Sequence, residues 1–172
     1  MLRRCLSLLC LAALVAGTGA YAQATPEYRA KAGFLYNFIA FTEWPASVGS
    51  PLPVCVIGTN PFGDELAALE GKRVGGRSLT VRMVAAPEQL SGCRVVFVTQ
   101  DAIGRFPRIA EVLRGEPVLT VADSPGALDA GVGVNLLLQQ SRIAFEINLA
   151  AARRAQLNLS AKLLQLAKAV RQ

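Results

Sequence analysis

The sequence contains no histidine, and this absence removes several kinds of chemistry. Ser-His-Asp and Cys-His catalysis need an imidazole as general base, and histidine is also the commonest metal ligand. Carboxylates alone could still transfer protons, but nothing in the sequence indicates that any two of them converge. We therefore interpret the candidates as ordinary polar residues and expect no catalytic residue and no metal site. These candidates are Glu43, Asp123, Asp129 and Glu146.

Complete cofactor-binding motifs are also absent. Residues 71–78, GKRVGGRS, resemble a phosphate-binding loop, but Arg77 stands where lysine is needed and the segment precedes a predicted strand at 79–84. A phosphate-binding loop must instead follow a strand and open a helix. Gly131-Val132-Gly133 lacks the third glycine of a dinucleotide fingerprint. We expect no cofactor and a protein that is not an enzyme.

Positive charge is present but not concentrated. The chain has 18 basic and 12 acidic residues, and only 6% of its residues are aromatic. Arg3 and Arg4 belong to a predicted leader, which leaves 16 basic residues and a net charge of +4. No basic stripe with interleaved aromatics is present, so we predict no nucleic-acid binding.

A long apolar run occurs only at the start of the chain. Arg3 and Arg4 precede an uncharged run at 5–16, and the small-residue pattern Ala20-Tyr21-Ala22 follows. This layout is typical of a secretory signal peptide, and the run is too short to span a bilayer. We predict cleavage after Ala22 and a periplasmic protein, with an uncut membrane anchor as the alternative. Residues 23–172, about 150 in number, are the length of one domain.

Two of the four cysteines lie outside the predicted leader. Cys55 and Cys93 each occupy a strand-like apolar run, PVCVI and CRVVFV. An even number of cysteines in an oxidising compartment favours a disulfide, provided that the two strands lie close together. Two buried free thiols are the alternative.

An aromatic-rich helix is predicted at 25–42, where Thr25 and Pro26 form a good helix start. Six of the ten aromatic residues beyond the leader lie between Tyr28 and Trp44. Core packing explains Phe34 and Phe38, which recur at helical spacing. The remaining aromatics of this segment either enter the core or face a partner.

The middle of the chain alternates between apolar strands and short helices. This alternation predicts an α/β fold with a mixed, largely parallel sheet flanked by helices on both faces. The predicted strands are 54–57, 79–84, 93–98 and 117–121, and the predicted helices are 61–69, 87–90 and 102–114.

The last third predicts a different arrangement. Segments 132–138 and 142–147, joined by three residues, indicate an antiparallel hairpin on the sheet edge. An asparagine then caps a helix at 149–156, and Ser160 caps a final helix whose apolar stripe continues to Val170.

Two sequence blocks carry a resemblance to a known family. The first is EYRAKAGFLYNF at 27–38, continuing to Glu43-Trp44-Pro45, and the second is FEIN at 145–148 with LNLSAKLLQLA at 157–167. With the segments around Cys55 and Cys93 between them, they resemble the YfiR family of small periplasmic proteins over essentially all of 23–172.

The resemblance implies a function through binding. Characterised members of the family bind the periplasmic portion of an inner-membrane diguanylate cyclase and repress it, which lowers cyclic-di-GMP and biofilm formation. An outer-membrane lipoprotein partner and homodimers are also implied. Cys55 and Cys93 match the cysteines of the family's bridge between two strands, whereas the second bridge of some members has no counterpart here.

Binding surfaces of this kind usually depend on a few aromatic or arginine anchors. Our candidates for contact with the cyclase are Trp44, Phe41, Glu146, Arg153 and Arg154. Alternation within its predicted strand places Glu146 on the face opposite to that of Phe145 and Ile147.

A periplasmic small-molecule sensor is the alternative function. Ligands of α/β folds bind in the crevice at the carboxyl ends of the strands. Residues 58–60 and 99–101 follow two predicted strands and would lie at that crevice.

Overall fold

A computed structural model describes residues 25–172, so the predicted leader at 1–22 lies outside the described residues. The first element is helix α1, Pro26–Ala40, whose N-cap Thr25 accepts a hydrogen bond from the backbone N–H of Tyr28. Proline at the first helical position and Glu27 in the first turn both suit a helix start. The helix ends slightly before the predicted Thr42, because that residue enters a short strand.

The remaining elements alternate strands with short helices. In chain order they are β1 (Thr42–Glu43), β2 (Leu52–Ile57), β3 (Arg73–Val74), β4 (Arg77–Val84), β5 (Val95–Val98), α2 (Phe106–Val112), β6 (Leu119–Ala122), α3 (Ala127–Ala130), β7 (Val134–Gln139), β8 (Arg142–Asn148), α4 (Leu149–Arg154), β9 (Asn158–Leu159), α5 (Ala161–Leu166) and β10 (Ala169–Arg171). Short 3-10 helices lie at Gly63–Leu69, Pro87–Leu90 and Ile103–Arg105. The helix predicted at 102–114 is therefore split, with its first turn in the tighter 3-10 form, which is frequent at helix starts.

The main sheet has the strand order β10-β8-β7-β6-β5-β2-β4-β3. Its centre, β4-β2-β5-β6-β7, is parallel throughout, and β2 pairs with both β4 and β5. Numbered along the chain, these five strands follow the doubly wound order 2-1-3-4-5. The antiparallel hairpin β7–β8 extends the sheet. The predicted α/β fold with a mixed, largely parallel sheet is confirmed.

Apolar side chains are buried on both faces of the central strands. In β2, Val54 and Val56 belong to a cluster with α1, whereas Cys55 and Ile57 belong to a second cluster with α2. Since successive side chains of a strand point to opposite faces, a continuous apolar run fills both layers.

The end of the chain differs from the prediction. The helix that begins after Ser160 stops at Leu166, and β10 then pairs in parallel with β8. The backbone N–H of Lys168 donates to the Phe145 carbonyl oxygen (2.8 Å). The predicted helix to Val170 and the edge position of the hairpin are therefore wrong. The open backbone groups of β8 are paired by β10, a tertiary effect that overrides helix propensity.

The parallel strands define two edges of the sheet, a carboxyl edge and an amino edge. Helix α1 runs from the carboxyl edge, where Tyr28 contacts Asp123, toward the amino edge, where its end meets β9. There β1 pairs with β9 outside the main sheet, with Thr42 opposite Leu159. The chain segment that follows α4 thus meets the end of α1 at the amino edge.

Candidate functional site

The end of α1 presents two half-buried aromatic residues at the amino edge. The Phe41 ring lies 5.3 Å from the Lys162 ammonium group, and its carbonyl oxygen accepts a hydrogen bond from the backbone N–H of Ser160 (2.9 Å). The indole N–H of Trp44 donates to the Ile39 carbonyl oxygen (3.3 Å). Both rings also pack against the cluster that contains α1. The ladder β1–β9 therefore holds an aromatic and cationic surface of Phe41, Trp44 and Lys162.

Two adjacent arginines end the neighbouring helix α4. Asn148 caps this helix by accepting a hydrogen bond from the Ala151 backbone N–H (2.9 Å), as the sequence predicts. Arg153 and Arg154 are both exposed. Arg153 donates to the side-chain oxygen of Gln172 (3.4 Å), whereas Arg154 lines a cavity. The cap positions both guanidinium groups at the amino edge.

Glu146 lies away from the amino edge, because its partner Asn135 pairs with Ala122, the last residue of β6. It occupies β8 opposite Asn135, and its neighbours Phe145 and Ile147 belong to the cluster with α1. Alternation along the strand therefore directs Glu146 to the sheet face away from α1. The structure places Phe41 and Trp44 together, the two arginines beyond them on α4, and Glu146 apart from the aromatic pair.

A cavity of about 540 Å³ opens beside α4 at the amino edge. It lies between α2, α4 and the loop that leads into β6. Its lining combines apolar and charged side chains: Phe106, Leu113, Val118, Ala151, Ala155, Glu111, Arg114, Glu116 and Arg154 are among them. No sequence pattern predicts this cavity, because its lining comes from segments that are widely separated along the chain.

At the carboxyl edge, the two loops proposed for a ligand crevice bond to each other. The Asp101 carboxylate accepts hydrogen bonds from the Thr59 backbone N–H and hydroxyl and from the Thr99 hydroxyl. These bonds hold the pKa of Asp101 below its usual value, and the bond from Thr99 has the largest effect. Asp101 thus joins the loop after β2 to the loop after β5.

A buried charged cluster lies nearby and attaches α1 to β6. The Lys31 ammonium group bonds to Asp123 Oδ2 (2.6 Å), with lysine and aspartate side chains only 3% and 1% exposed. The Tyr28 hydroxyl donates to the same oxygen (2.7 Å), and Glu27 also pairs with Lys31. Burial, and then the bond to Asp123, raises the pKa of Tyr28 well above its usual value. The burial of Lys31 was not predicted from the sequence. Its i, i+4 spacing to the buried Leu35 is the local signal that would have indicated it.

The predicted disulfide is present. Cys55 in β2 and Cys93 before β5 are bonded, with 6.0 Å between their Cα atoms, and both are buried. Arg82 of β4 lies over the bridge, with a guanidinium nitrogen 3.1 Å from the Cys93 sulfur and bonded to the Ser91 carbonyl oxygen (3.1 Å). The two strands are adjacent in the sheet, which is the condition that the sequence analysis set for the bridge.

Two further features concern the described part of the chain as a whole. Within residues 25–172, no three carboxylate or thiol side chains gather as a metal site would require. No helix in this range combines the length and apolarity needed to cross a bilayer.

The fold is similar to that of a solved structure described as the ABC domain in complex with L-Trp from Streptococcus pneumonia. The TM-score is 0.54 at 10% sequence identity, and the likeness covers 79% of this chain and 58% of that one. The chain therefore spans less than two thirds of that structure, and the likeness concerns the fold alone. No curated protein matches the sequence.

The described part of the chain is thus an α/β domain in which no set of side chains is grouped as a metal site. The comparison with protein families defines the class more closely than the fold does. The family model described as YfiR/HmsC-like matches residues 28–168. The chain belongs to this family, whose members are generally non-enzymatic regulators. Membership is consistent with a regulator of a diguanylate cyclase, and the disulfide is consistent with an extracytoplasmic protein.

Proposed function

We propose that this protein is a periplasmic regulator that binds the periplasmic portion of an inner-membrane diguanylate cyclase and represses it. Cyclic-di-GMP and biofilm formation would fall as a result. The family match over residues 28–168 carries the proposal. The leader-like sequence at 1–22 and the buried disulfide support export to the periplasm.

We place the cyclase contact on the amino-edge surface. Phe41 and Trp44 offer partly exposed aromatic area on a backbone that β1–β9 pairing holds in place. Arg153 adds an exposed guanidinium group. Aromatic and arginine side chains supply most interface hot spots, which supports this choice. Glu146 would engage only a partner that also reaches the opposite face of the sheet.

Repression would act by shifting the cyclase between conformations. The regulator must bind the inactive state of the cyclase more tightly than the active state by about 5.5 kcal/mol to reverse the populations of the two states fully. Hot-spot residues contribute about 2 kcal/mol or more each. Two or three such anchors would reach this difference if they contact only the inactive conformation of the cyclase. Homodimer formation and sequestration by an outer-membrane lipoprotein are further parts of this proposal.

The test is genetic and biochemical. Deletion of the gene should raise the cyclic-di-GMP concentration, and expression of the wild-type protein should return it to the original low level. The exported protein should copurify with a membrane cyclase. Arg153→Glu should fail to restore repression while keeping the wild-type unfolding temperature. Arg142→Glu, the same charge reversal at the exposed hairpin tip, is the matched control and should repress normally. Unchanged cyclic-di-GMP after deletion would contradict the proposal.

A small-molecule sensor is the second candidate function. The observation that favours it is the cavity of about 540 Å³ at the amino edge, a volume in the range of small-molecule sites. It lies at the opposite edge of the sheet from the crevice expected for this fold class.

A further inference from the structure

We propose that the cavity between α2, α4 and the loop before β6 binds a small amphipathic anion, a carboxylate or phosphate with an apolar body. Arg114 and Arg154 would donate hydrogen bonds to the acidic group. This inference does not depend on cyclase binding, since it concerns occupation of the cavity alone.

The size and floor of the cavity suit an apolar body. Its volume of about 540 Å³ lies within the range of roughly 300 to 1,000 Å³ found for small-molecule sites. Phe106, Leu113 and Val118 contribute buried apolar surface on one side. Ala151 of α4 and Ala155, which caps the end of that helix, also line the cavity, and their short side chains leave the space open. An aromatic ring or a short hydrocarbon chain would bury its surface there.

The acidic side chains of the lining already have partners. Glu111 accepts a hydrogen bond from an Arg108 guanidinium nitrogen (2.8 Å), and Glu116 accepts one from Arg94 (2.9 Å). Arg94 and Arg108 do not line the cavity. Each carboxylate of the cavity wall is therefore paired with an arginine that lies outside it, and Arg108 also pairs with Glu88 (3.3 Å).

The basic side chains of the lining have no such partners. Within residues 25–172, the guanidinium groups of Arg114 and Arg154 make no hydrogen bond or ion pair with any described side chain or carbonyl group. Two uncompensated positive charges thus border an apolar cavity. Guanidinium groups bind carboxylate and phosphate oxygens with good geometry, often in pairs of parallel hydrogen bonds. The charge complement of this cavity is an anion.

The experiment uses the disulfide-intact protein purified from the periplasm and titration calorimetry. The probes are 3-phenylpropionate, octanoate and benzyl phosphate, with 3-phenylpropionamide as the uncharged match of the first. We expect saturable binding of at least one anion. The affinity for the amide should be lower than that for the matching acid by a factor of about ten or more. Absence of binding by all three anions at about 5 mM, or equal binding of acid and amide, would overturn the proposal.

Variants locate the site. Arg114→Gln and Arg154→Gln should each weaken anion binding about tenfold or more, because each removes a charge-assisted hydrogen bond. Arg142→Gln, which removes the same charge at the exposed hairpin tip, should bind as the wild type does. Wild-type affinity in both cavity variants, with their fold intact by circular dichroism, would show that the anion binds elsewhere and would refute the assignment.

Two more variants separate the cavity from a general effect of net charge. Arg108→Gln leaves Glu111 unbalanced in the cavity wall, so it should weaken anion binding although Arg108 lies outside the cavity. Ala151→Leu keeps both arginines but fills space, so it should weaken binding of 3-phenylpropionate. Unchanged affinity in Ala151→Leu would contradict burial of the apolar body beside α4.

Discussion

Replacement of Lys31 by methionine should be among the most destabilising single changes in this protein. The substitution keeps the length and apolar stem of the side chain but removes its ammonium group. Asp123, whose side chain is 1% exposed, would then keep only the Tyr28 hydroxyl as a donor to Oδ2. Its Oδ1 already has no hydrogen-bond partner within the described structure. A buried carboxylate would therefore remain without a compensating charge.

The expected loss follows from the cost of such a charge. Removing one partner of a buried ion pair typically costs about 3–5 kcal/mol in the free energy of unfolding. For a domain of roughly 150 residues this corresponds to a fall in unfolding temperature of about 10 °C. Arg29→Met on the same helix is the matched control, since the Arg29–Glu65 pair has an arginine side chain 70% exposed. An exposed pair contributes about 1 kcal/mol or less.

The measurement is urea unfolding of the disulfide-intact protein, read by circular dichroism. Lys31→Met/Asp123→Leu should recover at least half of the loss, because it removes the charge that the single change leaves unpaired. The reasoning is refuted if Lys31→Met costs no more than Arg29→Met. It is also refuted if the double change is as destabilising as the two single changes added together.

Two further predictions concern stability. Gly58→Ala should cost about 2 kcal/mol or more, because Gly58 has φ +106° and an added Cβ would lie 1.8 Å from the Thr99 hydroxyl oxygen. Gly104→Ala, with open space around the added atom, should be neutral or slightly stabilising in the same urea series, and equal midpoints would refute the steric argument. Replacing Cys55 and Cys93 together by alanine should cost about 4 kcal/mol, since their bridge joins residues 38 apart. A midpoint within error of the wild type would show that the bridge does not stabilise the fold in this way.

Local signals predicted much of the fold correctly. The caps at Thr25, Asn148 and Ser160 accept the hydrogen bonds that the sequence indicates, because a cap acts within three residues of itself. The continuous apolar runs around Cys55 and Cys93 correctly indicated strands covered on both faces. The sequence did not show that these two strands are adjacent, and the predicted disulfide required that they be so.

Non-local contacts explain where prediction failed. Val170 continued an apolar helical stripe, and only the open edge of β8 makes Ala169–Arg171 a strand. Lys31 occupies a position that helix periodicity assigns to the core, but its partner Asp123 lies 92 residues away. No local pattern could join the two.

The amino acid sequence by itself determined the alternation of strands and helices, the absence of imidazole chemistry and the family to which the chain belongs, because each depends on residue identity and short spacing. The tertiary structure alone decided which charges are paired. Among residues 25–172, Glu111 and Glu116 have partners and the guanidinium groups of Arg114 and Arg154 do not, and this difference arises where α2, α4 and the loop before β6 pack together. Such pairing depends on distances between atoms of separate segments, which composition and periodicity do not encode.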